Sequence, residues 1–450
     1  MTERRWQPKA TPVPEKYTIT VANTWAAADT ATVTINEKDL TLTVGSLVTT
    51  AQVATSISQM INGETFTDTT AAASITGDKV GEFSNITATV SGSVVTCTGG
   101  RLDTDGTQTH LRSRPFTLTA TEVTAGTGTA TAASTQVATG PHHWDNVDNW
   151  SGGAVPVDSD DVVFDDGSVS CLYSMGVPTA VSLATLKRRK SYTGKIGLAN
   201  QNTDNPALPF YEYLTQYLTL GAVADAVTMV VTLESDGGRT FIDNGDAQAT
   251  WNIRSKASSR EIPEVPAILI KSTHVSCTLD LQAGDVGVAF YDGEAAALAT
   301  IRVGYIDDQA GDAKLYLGDG VTTLTTTTQT GGTVQFDSAL VTYNLQGGVL
   351  TVGDAGAPTV TTLNIDGGTC FYRGAGTMTT VNVGGGGTLD FRAGTKPVTV
   401  TNTNFYEGSA FYDPQGRVTH TNGIDLIRCN VAQLVAFEHV QHITITFSAV

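Results

Sequence analysis

The chain has 450 residues, 16% of them charged, with 46 glycines and a formal net charge of −18. Long amphipathic helices draw on Glu, Lys, Arg and Leu, which are scarce here, while β-branched Thr and Val suit a pleated surface and Gly supplies turns. The 44 acidic against 26 basic side chains leave no electrostatic footprint for nucleic acid or an anionic membrane surface, so neither is expected as a partner.

Residues 1–16 carry Pro8, Pro12 and Pro14 and mixed charge, which predicts an N-terminal arm that docks on a neighbouring subunit or stays disordered. It has no apolar stretch after its basic residues, so no signal peptide is expected. Residues 17–126 read as a small α+β attachment domain. Period-2 alternation predicts strands over 17–21, 31–35, 40–44, 86–90, 93–98 and 116–123. One helix falls between them: Val53, Ile57, Met60 and Ile61 share a face, Thr49 or Thr50 can cap it, and Asn62-Gly63 stops it. One helix on one small antiparallel sheet is the simplest arrangement that buries both apolar faces. Residues 127–143, rich in Thr, Ala and Gly, read as a linker.

From 144 to 420 short strands separated by Gly and Asp predict a parallel β-helix, with an excursion near 200–216. The strongest signal is a phrase that recurs in the C-terminal third: GGTVQF at 331–336, GGVLTV at 347–352, GGTCFY at 367–372, GGTLDF at 386–391 and EGSAFY at 407–412. Positions two apart on a strand point the same way, so stacked coils align two inward ladders. One is Val334, Leu350, Cys370, Leu389 and Ala410; the other is Phe336, Val352, Tyr372, Phe391 and Tyr412. Gly332, Gly348, Gly368, Gly387 and Gly408 are the corner glycines, where the chain turns with φ values other residues resist. TTLNID and TTVNVG, at 361–366 and 379–384, suggest another face. A period near 20 residues matches one turn of a parallel β-helix, and at about 4.8 Å per coil the rod is on the order of 60 Å long. Residues 421–450 read as a closing cap or oligomerisation segment, because a solenoid must protect its last edge.

Few side chains suggest chemistry. Asp158, Asp160, Asp161, Asp165 and Asp166 form an acidic cluster that could interest calcium, but a solvated turn explains it. Asp243-Asn244-Gly245-Asp246 lacks the spacing of a calcium loop. Asp292, Glu294, Asp307, Asp308 and Asp312 are raw material for a glycosidase, yet all lie beside turn glycines and nothing pairs them. His142 and His143 have no further ligands at metal spacing. Phe210, Tyr211, Tyr213 and Tyr217 could stack sugars or pack an excursion. The run Lys187-Arg188-Arg189-Lys190 reads as a solvated edge that discourages strand addition. Cys97, Cys171, Cys277, Cys370 and Cys429 are too dispersed for disulfides or zinc, and sit in apolar runs as small hydrophobes. No catalytic residue, metal site or cofactor is expected, and the chain is not expected to be an enzyme.

The segment that opens the solenoid carries Asn149, Trp150, Gly152, Gly153 and Pro156 in the order NW-x-G-G-x-x-P, followed by Asp161, Val163 and Phe164. It resembles the entry of β-helical surface proteins, including autotransporter-type passengers. Trp144, Trp150, Gly152, Gly153 and Pro156 then form an entry cap, with aromatic rings over the first coil. With the irregular Gly-Gly coils, the chain resembles bacteriophage virion β-helix proteins of the tailspike, head-fibre and capsid-decoration kind. That resemblance implies a homotrimer attached to other virion proteins through its N-terminal region. It also implies a virion location after synthesis in the host cytoplasm, and a cell-surface glycan as a further candidate partner. Two other readings remain open: a glycan-binding or glycan-cleaving tailspike, and a bacterial cell-surface adhesin.

Overall fold

A computed structural model describes residues 2–46, 48–68, 72–77, 81–100, 109–176, 181–199, 215–221, 228–255, 260, 262–304, 313–322, 324–353, 358–428, 437–439 and 444–448. It is mostly β: a long parallel solenoid preceded by a small domain with antiparallel sheets and one helix.

The N-terminal domain holds two four-stranded antiparallel sheets rather than one. In the first, strands Ile86–Ser91, Val94–Gly99, Lys16–Ala22 and Thr129–Gln136 lie side by side. The second orders Ala72–Thr76, Lys38–Val44, Thr30–Ile35 and Leu118–Val123. Alternation explains the pairing: in Thr30–Ile35 the residues Ala31, Val33 and Ile35 are buried while the threonines between them are half-buried. The helix, Thr50–Asn62, is capped by Thr49, whose hydroxyl accepts from the Gln52 N–H while the Gln52 side chain reaches back. Gly63 closes it at φ 72°. Val53, Ile57 and Met60 are fully buried against both sheets.

The linker expected over 127–143 is corrected. Thr129–Gln136 is a strand, paired antiparallel with Lys16–Ala22 and therefore part of the N-terminal domain. Its alternating Thr and Ala have the right period for an edge strand but no large apolar side chain to announce it.

The arm is corrected too. Glu3–Arg5 pairs in parallel with Asp161–Phe164 and adds a strand on top of the first coil of its own solenoid.

Beyond Asp161 the chain winds into coils with two long parallel faces. The first face stacks Asp161–Phe164, Thr185–Arg188, Met229–Leu233, Ala249–Arg254, the start of Thr278–Val288 and Thr300–Val303. It continues through Thr326–Gln329, Leu340–Leu345, Thr359–Ile365, Gly376–Val383 and Val398–Tyr406. The second face runs from Leu218–Thr219 through Thr240–Asp243 and Ile268–Lys271 to Ala313–Leu317, Thr333–Phe336, Val349–Val352, Thr369–Tyr372, Thr388–Asp390 and Ala410–Asp413. A short third pairing joins Ala296–Ala297 to Val321–Thr322. The core between the faces is one continuous apolar cluster from Trp6 to Leu426.

Register places Val334 against Leu350, Leu350 against Cys370 and Cys370 against Leu389, all buried. Phe336 lies against Val352 and Val352 against Tyr372, whose ring meets Phe391 at 5.4 Å. The last rung differs from expectation. Ala410 pairs with Thr388, Phe411 with Leu389 and Tyr412 with Asp390. Phe411 and Asp413 are therefore the buried pair, while Ala410 and Tyr412 are half-buried. The cause is one extra residue at the corner. Gly332, Gly348 and Gly368 turn at φ 73°, 82° and 74° immediately before their strands. In the next two coils the left-handed glycines are Gly386 at φ 85° and Gly408 at φ 83°, with Gly387 and Ser409 inserted before the strand. Gly387 is not the corner; it closes a tight turn by donating to the Gly384 carbonyl at 2.8 Å.

The solenoid also runs further than 420. Ile424–Ile427 and Ile445–Ser448 extend the first face in parallel, and Phe437–His439 extends the second. These residues add the last described rungs of the stack.

Candidate functional site

Aromatic, acidic and basic side chains converge at the junction where arm, N-terminal domain and first coil meet. Trp6, Trp144, Trp150 and Phe164 pack over the open end of the stack. Trp6 stands edge-on to Trp150 at 5.0 Å, and Trp144 to Trp150 at 4.7 Å. Two of the indoles find acceptors: Trp6 Nε1 donates to the Val169 carbonyl at 2.9 Å and Trp150 Nε1 to the Trp144 carbonyl at 2.7 Å. Gly152 and Gly153 turn at φ 80° and 63°, and Pro156 is buried just ahead of the first strand. Trp6 was not singled out by the sequence. Its only signal is a lone tryptophan among prolines.

The acidic cluster is engaged in the same junction. Asp160 accepts from the Thr2 N–H at 3.1 Å, Arg4 Nε at 3.2 Å and the Val157 N–H at 3.2 Å. Burial pushes its carboxyl up, but those bonds from Val157, Arg4 and Thr2 outweigh it and hold the group below the usual aspartate value. Asp165 accepts from Ser191 Oγ at 2.6 Å and faces Arg5 and Arg189 at 3.4 and 3.3 Å. Asp158 accepts from the Ser182 N–H and Asp161 from Thr185 Oγ1. Asp166 turns at φ 44°. These carboxylates tie down chain ends and turns. Among the described residues, no group of three or more His, Cys, Asp or Glu could hold a metal ion.

His143 is fully buried between the two domains. Its Nε2 lies 2.6 Å from the Ser113 carbonyl, which requires a donor there, so Nδ1 accepts from Ser174 Oγ at 3.1 Å. Burial lowers its pKa, opposed by the Ser113 carbonyl and by Asp145. His142 Nδ1 meets the Ser170 carbonyl at 2.8 Å.

The other candidates disperse. Asp307, Asp308, Asp312, Phe210, Tyr211, Tyr213 and Cys429, and the excursion over 200–214, lie outside the described residues. Glu294 accepts from the Tyr217 hydroxyl at 2.7 Å and the Tyr291 N–H at 3.1 Å, which makes it a turn support. Tyr217 packs on Phe241 at 5.6 Å. Asp243 caps the turn at Gly245, and Asn244 is buried, donating to the Ala247 carbonyl at 2.6 Å. Cys97, Cys171, Cys277 and Cys370 are buried free thiols, and burial pushes the Cys97 thiol up to about 12.

The basic run is not a uniform solvated edge. Arg188 is buried and donates to the carbonyls of Gly194, Gly237 and Gly238 and to Thr240 Oγ1, while Arg189 and Lys190 pair outside with Asp165 and Asp236. A second buried arginine, Arg417, donates to the carbonyls of Lys396, Tyr372, Phe391, Arg373 and Gly374. Both arginines gather several backbone carbonyls at the coil corners.

On the second face a cavity of about 410 Å³ is lined by Arg260, Lys314, Tyr316, Thr333, Gln335 and Thr351. Arg260 lies over the Tyr316 ring at 5.3 Å and makes a two-pronged pair with Asp285. Comparison with protein-family models, with curated proteins and with solved structures returns no match.

Proposed function

We propose that this chain is a non-enzymatic structural protein of a bacteriophage particle, a capsid decoration, head fibre or tail spike. In this reading it assembles as a homotrimer, its N-terminal domain faces the other virion proteins, and the solenoid is exposed. The observation that carries the reading is the use of the acidic side chains: Asp158, Asp160, Asp161, Asp165, Asp243 and Glu294 brace turns, the arm and the domain junction. A protein whose polar groups are spent on fixing one rigid rod suits a scaffold. The negative charge keeps copies soluble at high local density.

The Tyr316 cavity supports a second reading, a glycan-binding appendage, because an aromatic ring beside Lys314, Gln335 and two threonines offers stacking and hydrogen bonds to a sugar. Among the described residues no carboxylate lines it, which favours binding over cleavage.

The test is mass spectrometry of phage particles purified by density gradient from a host that carries the gene, with a parallel assay for loss of polysaccharide viscosity. The chain in stoichiometric amounts, with viscosity unchanged, is the expected result. Its absence from particles, or a fall in viscosity, would overturn the structural reading.

A further inference from the structure

The N-terminal domain seals one edge of its first sheet and leaves the other open. On the edge strand Ile86–Ser91, helix side chains serve the backbone. The Ala88 N–H donates to Asn62 Oδ1 at 2.8 Å, and its carbonyl accepts from Asn62 Nδ2 at 2.8 Å and Ser58 Oγ at 3.1 Å. The opposite edge is Thr129–Gln136. It follows Leu118–Val123, itself an edge of the second sheet, and no pairing joins the two. A groove of about 500 Å³ runs between them, lined by residues 118–122 and 130–132. The Ala130 N–H leaves its own sheet to reach Glu122 Oε2 at 3.2 Å, so by alternation the N–H and carbonyl of Ala132 point into the groove as well. Thr117 faces the strand Thr30–Ile35, its carbonyl accepting from the Asn36 N–H at 3.2 Å, so Leu118, Ala120 and Glu122 point the other way. At the two ends side chains stand in for a strand: Glu122 for Ala130 and the Tyr17 hydroxyl for Leu118. Among the described residues, Ala120 and Ala132 between them have no such partner.

We propose that this seam takes an extended strand from a partner protein, added to the Thr129–Gln136 edge in place of Glu122, with Leu118–Val123 on its other side. The proposal rests on the reading above in which the N-terminal domain faces other virion proteins. Two facing rows of N–H and carbonyl groups at strand spacing are the complement of an extended polypeptide backbone. Thr119, Ala120, Thr121, Ala130, Thr131 and Ala132 keep the walls small, and neither strand carries the lysine or proline that usually blocks addition. Ala120 and Ala132 pack partly against the domain core, so the inward side chains of the added strand are apolar and alternate with polar ones. Displacing Glu122 from Ala130 frees a carboxylate, which calls for a Lys or Arg at that end of the strand. A second copy has no described strand to lend, because all of them, Glu3–Arg5 of the arm included, are paired within their own chain. The occupant is therefore a different protein. Val123 and Val137, at the two ends of the seam, are 76% and 73% exposed and extend the apolar surface that meets it.

The experiment is fluorescence anisotropy of a labelled peptide with the full chain, joined to amide hydrogen exchange. The probe copies Lys16–Ala22, KYTITVA, which alternates apolar and polar residues and begins with lysine. Its control is the same peptide N-methylated at alternate residues, which removes donors and keeps the side chains. Saturable binding is expected, with slowed exchange at Ala120 and Ala132. The Ala132 N–H is not used in its own sheet, so A132P removes a donor of the groove and leaves the pairing to Lys16–Ala22 in place. A132P and the N-methylated peptide are each expected to lose affinity by roughly tenfold or more. Should A132P change the circular dichroism spectrum, the N-methylated peptide on the wild type gives the same discrimination. No saturation at millimolar peptide, or equal binding of the N-methylated peptide, would overturn the seam. A chain that is found in purified particles yet ignores the peptide would overturn the seam alone. One that binds the peptide but is absent from particles would keep the seam and overturn the particle reading.

Discussion

Trp6 and Trp150 meet edge to face with 5.0 Å between ring centroids, one from the arm and the other from the solenoid entry. Between them the chain builds an entire domain. The first coil is thus sealed by residues on both sides of that domain, and the arm, the domain and the rod are fastened at one point. Trp6→Ala removes a ring that is 2% exposed and leaves a hole over Phe164. A loss of about 3–5 kcal/mol is expected for that end of the rod. Hydrogen exchange should show faster exchange in Asp161–Phe164 while the coils beyond Thr326 stay protected.

Acid should loosen the same junction in two steps. The His143 pKa is lowered in the folded chain, so its contribution is complete above the unfolded value of 6.5 and is lost as pH falls from there toward the folded pKa. Asp160 is also depressed, so its contribution is present above 3.8 and lost as pH falls through its still lower folded value. Thermal unfolding followed from pH 8 to pH 3 should show the first decline removed by His143→Gln and the second by Asp160→Asn.

Corner glycines should differ in tolerance. A Cβ on Gly368 would stand 2.5 Å from the Gly348 carbonyl oxygen, at φ 74°, so Gly368→Ala carries a clash on top of the backbone strain. Gly386 has the same handedness at φ 85° but open space around it. Gly386→Ala is expected to cost about 1 kcal/mol and Gly368→Ala clearly more. Denaturant unfolding of the pair checks the order.

The asparagine ladder on the first face, in which Asn364 donates to Asn344, Asn382 to Asn364 and Asn404 to Asn382, makes a smaller prediction. Asn364→Ala removes one donated and one accepted bond on a half-buried surface, a loss of about 1–2 kcal/mol. Asn344→Ala, at the end of the ladder, removes one bond and should cost about half as much in the same denaturant titration.

How much of this was legible follows from how far apart the interacting residues lie. The ladders from Val334 to Leu389 could be read because one phrase returns every coil and its glycines mark the same corner. The rung at Phe411 could not, since a single inserted residue, Ser409, shifts the register while leaving the Gly-Ser-Ala phrase looking aligned. The strand Thr129–Gln136 hid behind low complexity: its small side chains rely on Lys16–Ala22 for pairing and bury little themselves. The arm was opaque because Asp160 and Thr2 are 158 residues apart and no local pattern links them. Arg188 and Arg417 were missed for a related reason. Their partners are backbone carbonyls, which every sequence has and none displays.

The proposal of a particle-borne scaffold is tested most directly by immuno-electron microscopy of intact purified particles. Two antibodies are needed, one raised against residues 326–406 of the solenoid and one against the N-terminal domain. The account predicts that the solenoid antibody decorates intact particles and the domain antibody binds only after the particles are disrupted. Particles left bare by both antibodies, before and after disruption, would contradict it.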